Sequence, residues 1–392
     1  MLSLFRNRVM IRKEKIKNRV RLLPMAKPKL INVFALDHGY GAMKTSNLIT
    51  FPTDIVPAQD GTFGAPLEPM DRIIYADQTG KQYFIGNFAK QQIEAKPSLL
   101  DLKEKLNEFY FRSKEYLATM LTAIAIAHPD ETEIGIRMFV TGLPSTHWHQ
   151  YNTELSGKLE GKHKFTVTFG TETREMTIQI KDAVVIPQPY GTLSLYGYNN
   201  NGEMREENSF VFTDKVGIVD FGFYTTDAQL TNKFTTVNEG SSSFTNEFET
   251  VSQTYLAIQK HVQRETGKTI VLQTMRDKIA KGKIYYYENG VQKTYDLKSI
   301  ASEYFSKMAN LIVEKIVNKW QNYDLEYIVL SGGGSAIPEI VNAFRHVYGS
   351  QILLPAQDMN IDPIYTNVLG YKNFGENYLL SVGELEVSTP NE

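Results

Sequence analysis

INVFALDHGYGAMK, residues 31–44, is the stretch whose reading decides the fold. Ile31–Leu36 is a six-residue run with four strongly apolar members, long enough for a buried strand. It ends in Asp37, and Gly39, Tyr40 and Gly41 follow as a tight turn in which glycine takes positive φ easily. Lys44 is spaced to reach back over that turn. An acidic group thus stands at a strand end beside backbone N–H groups that can face outward. Such a nest binds phosphate, the lysine adds charge, and the carboxylate can hold Mg2+ through water. Alone, D-x-G-x-G fits many turns, and an ordinary hairpin with a solvated aspartate reads the same way.

The same unit recurs. Lys215–Asp227, KVGIVDFGFYTTD, is again a short apolar run ending in an aspartate, Asp220, with Gly222 two residues later and a second extended segment beyond. Two Asp-tipped hairpins that face each other can grip one Mg-polyphosphate between them. A third element, Tyr327–Pro338 (YIVLSGGGSAIP), runs from a strand through Gly332, Gly333 and Gly334 into a helix over Glu339–Val347. Its glycines let backbone approach a flat ligand closely.

In this order the three elements resemble the first phosphate loop, second phosphate loop and adenosine loop of the actin superfamily of ATPases. Within it, the sequence is most similar to the bacterial plasmid-segregating actins, the ParM-like proteins. The resemblance rests on the first strand with D-x-G-x-G-x-x-K, Phe51–Pro52, Tyr83–Ala89 (YFIGNFA), Val185–Gly191 (VIPQPYG) and Pro363–Tyr371 (PIYTNVLGY), and runs from about Ile31 to Leu380. His38 and Thr366 depart from the family's usual small or apolar residues. The resemblance implies an α/β actin-like fold, the ATPase core shared with hexokinase and heat-shock chaperones, with two domains around a nucleotide cleft. Expected boundaries are a basic extension over 1–29, domain I over 30–205 with a small inserted subdomain at about 50–97, domain II over 206–360, and a return to domain I over 361–392.

At 392 residues, with 42% hydrophobic and 22% charged residues, the chain can bury a large core in one or two domains. It has no cysteine, which excludes disulfides, thiolate catalysis and zinc–thiolate sites and suits a reducing cytoplasm. The longest mainly apolar run, Tyr116–Ala127, is too short to span a bilayer, and direct membrane contact is not expected. Residues 1–30 carry ten Lys or Arg and one Glu, so the net charge of −2 divides into +9 there and −11 elsewhere. A basic arm of this kind could meet DNA or an anionic membrane; the reading adopted is a disordered tail, or an upstream extension with the start at Met25.

Along the rest of the chain, leucines from Leu99 onward with Phe109 and Tyr110 predict one long helix over Ser98–Ala127. Strands are expected over Glu133–Gly142 and within Lys164–Gln188, and a connecting helix over Gly191–Gly197. Asn199–Ser209 reads as a link between halves, and Asn238–Asn246 as a flexible Gly/Ser-rich loop. Phe248–Glu265, Val271–Lys281 and Ile300–Trp320 look helical, and Asn289-Gly290 marks a hairpin within Lys283–Leu297. His147-Trp148-His149 reads as loop, and the seven histidines show no metal-ligand spacing.

Hydrolysis of a terminal phosphate needs charge neutralised and a water held in line. Asp37 and Asp220 are the candidates for holding hydrated Mg2+. Backbone at Gly39, Tyr40, Gly41 and Ala42 and at Gly222, Phe223, Tyr224 and Thr225 should cradle the β- and γ-phosphates. Lys44 and the hydroxyls of Thr225 and Thr226 would help, although the two threonines also fit a plain strand start. Gln188 lies between two prolines after a strand, so its backbone is stiff; the actin superfamily places Gln or Glu there, opposite the γ-phosphate, and its role would be to position water. Gly332, Gly333 and Gly334 would meet adenine and ribose. Lys278, Lys281 and Lys283 fall where the family's second domain touches the base, and are equally read as solvated.

The resemblance further implies ATP and Mg2+ as cofactors, a head-to-tail filament destabilised by hydrolysis, and an adaptor protein coupling it to plasmid DNA. A sugar- or acetate-kinase-like phosphotransferase on the same core is the alternative, and it would place an acidic base where Gln188 stands. A chaperone would need a peptide-binding domain after the third loop. A shape-determining or division-type actin would often carry a membrane-binding helix.

Overall fold

A computed structural model describes residues 28–58, 71–95, 108–270 and 272–385. Its centre is β1 (Lys29–His38), buried on both faces from Val33 to His38 as a strand without a solvent side must be. β1 pairs antiparallel with β2 (Ala42–Thr45), which pairs with β3 (Thr50–Pro52), and lies parallel to β7 (Glu133–Leu143). With β4 (Ile55–Pro57), β5 (Ile73–Ala76), β6 (Gln82–Ile85), β8 (Gly161–Phe169) and β9 (Glu172–Pro187) this makes a nine-stranded sheet, ordered β3-β2-β1-β7-β9-β8-β5-β6-β4. The described strands of the inserted segment therefore extend the first sheet through β8, and α1 (Asn87–Ala95) packs on them.

The second sheet repeats the first. β10 (Lys215–Phe221), β11 (Thr226–Asn232) and β12 (Thr235–Phe244) form an antiparallel meander. β10 then lies parallel to β15 (Tyr327–Ser331), and β15 to β16 (Ile352–Leu353), so the order is β12-β11-β10-β15-β16. β13 (Lys283–Glu288) and β14 (Val291–Asp296) stand apart as a ribbon whose turn holds Asn289 at φ 52° and Gly290 at φ 78°, the geometry Asn-Gly favours.

Alternation along β1 divides the first core. Phe34 and Leu36 face α2 (Lys114–Ala127) and α3 (Ser145–Leu159), while Val33 and Ala35 face Val368 and Tyr371 of α9 (Thr366–Ser381). On the second sheet, Val219 and Phe221 pack with α5 (Val251–Thr266), α6 (Leu272–Lys281), α7 (Leu297–Trp320) and α8 (Pro338–Tyr348). Val216 and Ile218 meet Leu193 and Tyr196 of α4 (Tyr190–Gly197). α4 and α9, each seated on a different sheet, cross so closely that a Cβ at Gly370 would lie 1.6 Å from the Gly191 carbonyl oxygen.

Three expectations are corrected. The helix before β7 starts at Lys114, where the Ser113 side chain accepts from the Tyr116 amide; Phe109 and Tyr110 lie in a short 3-10 turn, and Leu99 to Leu106 lie outside the described residues, as does the arm before Pro28. Most of the Gly/Ser stretch is not a loop but strand β12, held by β11; Gly240 fits because a Cβ there would sit 2.5 Å from Leu230, and its carbonyl accepts from Trp320 Nε1 at 2.7 Å. His147–His149 belong to the first turn and a half of α3, where Trp148 Nε1 donates to the Val185 carbonyl at 2.7 Å. Within Lys164–Gln188 the expected strands are the end of β8 and β9, the latter one strand of 16 residues.

Candidate functional site

The two hairpins match residue for residue. Asp37 stands across from Lys44 in β1–β2, and Asp220 across from Asp227 in β10–β11. A Cβ at Gly39 would lie 2.9 Å from the Ala42 carbonyl oxygen, and one at Gly222 would lie 2.9 Å from that of Thr225. Each tip therefore needs glycine for room. The positive φ expected at the first turn is not adopted, since neither Gly39 nor Gly41 is among the glycines with φ above zero. A Cβ at Gly41 would stand 3.7 Å from Phe223 and 3.8 Å from Tyr224, so the tips of the two hairpins lie within van der Waals reach of each other.

Behind the tips the carboxylates gather. Asp37 and Asp220 are each 3% exposed. Lys44 Nζ donates to Asp37 Oδ2 at 2.9 Å, and Gln188 Nε2 donates to Asp37 Oδ1 at 3.2 Å. Among the described residues no cation pairs with Asp220 at that range; Asn367 Nδ2 donates to its Oδ2 at 2.7 Å. Burial first, and then the negative charges of Asp37 and Asp227, push the Asp220 carboxyl up to about 7 against the milder opposing effects of Asn367 and Lys44. Burial also raises Asp227, partly offset by hydroxyls donated from Ser243 and Thr225.

Gln188 follows β9 directly. Its amide donates to the Leu143 carbonyl at 2.7 Å, and its own carbonyl accepts from the Tyr371 hydroxyl at 3.1 Å, so its backbone is fixed from both sides. The third element also converges here. Gly332, at the end of β15, has φ 75°, and a Cβ on it would sit 2.2 Å from Asp220 Oδ1. Gly333 begins a 3-10 turn leading to α8, and a Cβ at Gly334 would meet Phe221 at 2.6 Å.

The two threonine hydroxyls have partners within the protein. Thr226 starts β11, is fully buried, and donates to the Glu249 carbonyl at 2.6 Å; Thr225 donates to Asp227 at 2.8 Å. Both hydroxyls therefore hydrogen-bond inside the second sheet. His38 hydrogen-bonds Thr119 at 3.0 Å through Nε2, and Thr366 donates to the Pro363 carbonyl at 3.0 Å, so both departures are absorbed by packing. Lys278, Lys281 and Lys283 are exposed on α6 and β13.

Sequence reasoning gave no role to Asn367 or Asp227. Both lie inside quoted stretches, and Asp227 repeats the spacing from Asp37 to Lys44. That spacing was the available signal. Asn367 is further fixed by Thr192, whose hydroxyl donates to its Oδ1 at 2.7 Å. Among the described residues, no group of three His, Asp or Glu side chains is arranged to hold a metal directly. A hydrated divalent cation nonetheless fits the donor set: Asp220 is destabilised as an anion by its acidic neighbours, and added positive charge would relieve it. No helix among the described residues is long and apolar enough to cross a membrane.

Comparison with known proteins agrees with this fold. Residues 35–191 match the family model of the N-terminal domain of actin-like proteins, and residues 218–340 that of the C-terminal domain of the archaeal actin homologue MreB-like proteins. The actin-like protein Alp7A superposes with a TM-score of 0.69 at 17% identity, over 91% of this chain and 98% of that one. A 15-stranded ParM filament from Clostridium botulinum gives 0.64 at 22%, over 89% and 99%. Bacillus thuringiensis ParM with ADP gives 0.63 at 15%, over 90% and 99%. No curated protein matches by sequence. The two domain models fall in order on a single fold that repeats one sheet plan around facing Asp-tipped hairpins, and that fold is actin-like.

Proposed function

We propose that this protein is an ATP-driven polymerising actin-like protein that segregates plasmid DNA through an adaptor. The observation that carries the reading is the meeting of two equivalent hairpins, one from each sheet, with Asp37 and Asp220 buried behind their tips. In this reading residues 30–205 and 361–392 form domain I and residues 206–360 form domain II, in keeping with α9 returning to pack on β1. Asp37 and Asp220 would hold hydrated Mg2+, which would neutralise charge on the terminal phosphates. Backbone at Gly39–Ala42 and Gly222–Thr225 would cradle the phosphates with Lys44, and Gly332–Gly334 would lie along the nucleoside.

Gln188 would release Asp37 and orient the attacking water. Gln188→Ala is then expected to slow turnover on the order of 10²-fold while nucleotide affinity changes little, since a positioning group acts mainly in the transition state. Single-turnover rates measured beside nucleotide affinity check this. Weaker affinity with unchanged turnover at saturation would make Gln188 a binding residue.

A nucleotide bridging the two hairpins fixes the angle between the sheets, and loss of the γ-phosphate frees it. A head-to-tail contact using both units is then strong at one angle and weak at the other, and being heterologous it propagates as a filament. Two neighbours point the same way: a ParM described as a filament and another described with ADP. Light scattering and electron microscopy over a concentration series should give a critical concentration that depends on nucleotide. A monomer at every concentration with ATP, or turnover that needs a small-molecule acceptor, would move the protein to the kinases. Gln188 argues against that class, because an amide cannot take the acceptor's proton.

A further inference from the structure

β10 and β15 end side by side. Their register pairs Ile218 with Val329 and Asp220 with Ser331, and register partners on parallel strands carry their side chains on the same face. Val216, Ile218 and Val329 fill that face against Leu193 and Tyr196 of α4, and at the strand ends Asp220 and Ser331 continue it. The two side chains are served differently. Asn367 Nδ2 donates to Asp220 Oδ2 at 2.7 Å. Ser331 is fully buried, and its Oγ has no hydrogen-bond partner among the described residues. A buried hydroxyl without a partner costs free energy that a satisfied one does not.

The backbone around Ser331 leaves little freedom to correct this. Gly332 follows at φ 75°, and a Cβ there would sit 2.2 Å from Asp220 Oδ1, so the chain passes close against the carboxylate. The Gly332 carbonyl accepts from both the amide and the hydroxyl of Ser335, at 3.0 and 2.8 Å, which pins the turn. Rotation of the Ser331 side chain about its Cα–Cβ bond is the movement that remains. A hydroxyl kept unsatisfied in the interior, beside a carboxylate that a ligand would use, is a group whose partner is completed when that ligand binds.

From the register, the burial and the missing partner, we propose that Ser331 is a positioning residue for Asp220: with nucleotide and hydrated Mg2+ bound, its hydroxyl donates to the Asp220 carboxylate and holds it in place together with Asn367. The proposal rests on the reading that Asp220 serves the metal. Carboxylates that serve a metal are themselves hydrogen-bonded, and loss of such a partner costs about 10- to 100-fold in metal affinity. The role of Ser331 passes through Asp220, so removing its hydroxyl should weaken the metal-dependent part of nucleotide binding and leave the rest.

The test is calorimetric titration of the full chain with ADP, in excess Mg2+ and in EDTA. Mg2+ is expected to strengthen ADP binding by the wild type. Ser331→Ala should lose about tenfold of that gain and bind ADP in EDTA as the wild type does. Without nucleotide it should melt at or slightly above the wild-type temperature, because the hydroxyl it lacks had no partner there. Ser331→Cys, similar in shape but a weaker donor, should fall between the two. An unchanged Mg2+ gain in Ser331→Ala would overturn the proposal. So would an equal loss in EDTA, which would put the hydroxyl on the nucleotide, or a melting temperature lowered by several degrees, which would reveal a structural partner. A larger loss in Ser331→Cys than in Ser331→Ala would make side-chain size the cause and would overturn it too. Asp220→Asn separates this proposal from the reading beneath it. A Mg2+ gain kept in that variant overturns both, whereas a gain lost there and kept in Ser331→Ala overturns the role of Ser331 alone.

Discussion

Asp220→Asn is expected to abolish nucleotide hydrolysis and, in the same protein without nucleotide, to raise thermal stability at neutral and alkaline pH. The two effects have one origin. Asp220 is buried beside Asp37 and Asp227, and its carboxyl is pushed up to about 7. The unfolded carboxyl titrates near 4. Between those values the folded state holds the extra proton, so stability falls as pH rises through the window and is level above it. Asparagine has no such titration and keeps an oxygen to accept from Asn367. Its advantage should be nil near pH 4 and grow to a ceiling of roughly 4 kcal/mol near pH 7 and above. Mg2+ demands the ionised form, so the apparent affinity of the wild type for Mg2+ should weaken below pH 7, and the variant should lose it. Thermal unfolding from pH 4 to 8, with phosphate release measured in parallel, checks both arms. Equal melting temperatures at pH 8 would remove the like-charge argument, and retained hydrolysis would remove Asp220 from the site.

Gly370→Ala is expected to be among the most damaging single substitutions in the chain. The added Cβ would sit 1.6 Å from the Gly191 carbonyl oxygen and 2.9 Å from the Leu195 amide nitrogen, all backbone atoms that cannot swing aside. α9 must therefore move off α4. It cannot do so locally, since Val368 and Tyr371 are buried against β1 while Leu193 and Tyr196 are buried against β10. Overpacking of this kind costs about 3 kcal/mol or more, which is roughly 10 °C in melting temperature for a domain of this size. Alanine is otherwise the better helix former, by about 1 kcal/mol, so propensity alone predicts the opposite sign. A melting temperature within about 2 °C of wild type would show that the crossing can relax.

The parts of this site that were legible in the sequence are those written locally. An apolar run ending in Asp37, with glycine two residues on, forms its hairpin from neighbours alone, and Asp220 repeats it. What could not be read depends on partners far along the chain. Asn367 lies 147 residues from the carboxylate it donates to, and Gln188, itself named from the sequence, has its partner Asp37 151 residues away. β12 has the composition of a loop and is a strand because β11 pairs with it and the Trp320 indole caps Gly240. Glycine misled in one further way. Its presence at 39 and 41 signalled a turn correctly, but neither takes positive φ; at 39 the cause is a close carbonyl, and at 41 an added Cβ would make only ordinary contacts.

Two hairpins of one design, facing each other, would accept a ligand having a cationic and an anionic end in either of two opposite orientations. Such a cleft would be degenerate, with half its complexes unproductive. The cross-strand partner of the aspartate lifts that degeneracy: it is Lys44 in the first hairpin and Asp227 in the second. The first is thereby self-neutralised and hospitable to anions, and the second is left short of positive charge. A single position, occupied differently in two copies of the same motif, sets which way round the contents of the cleft must lie.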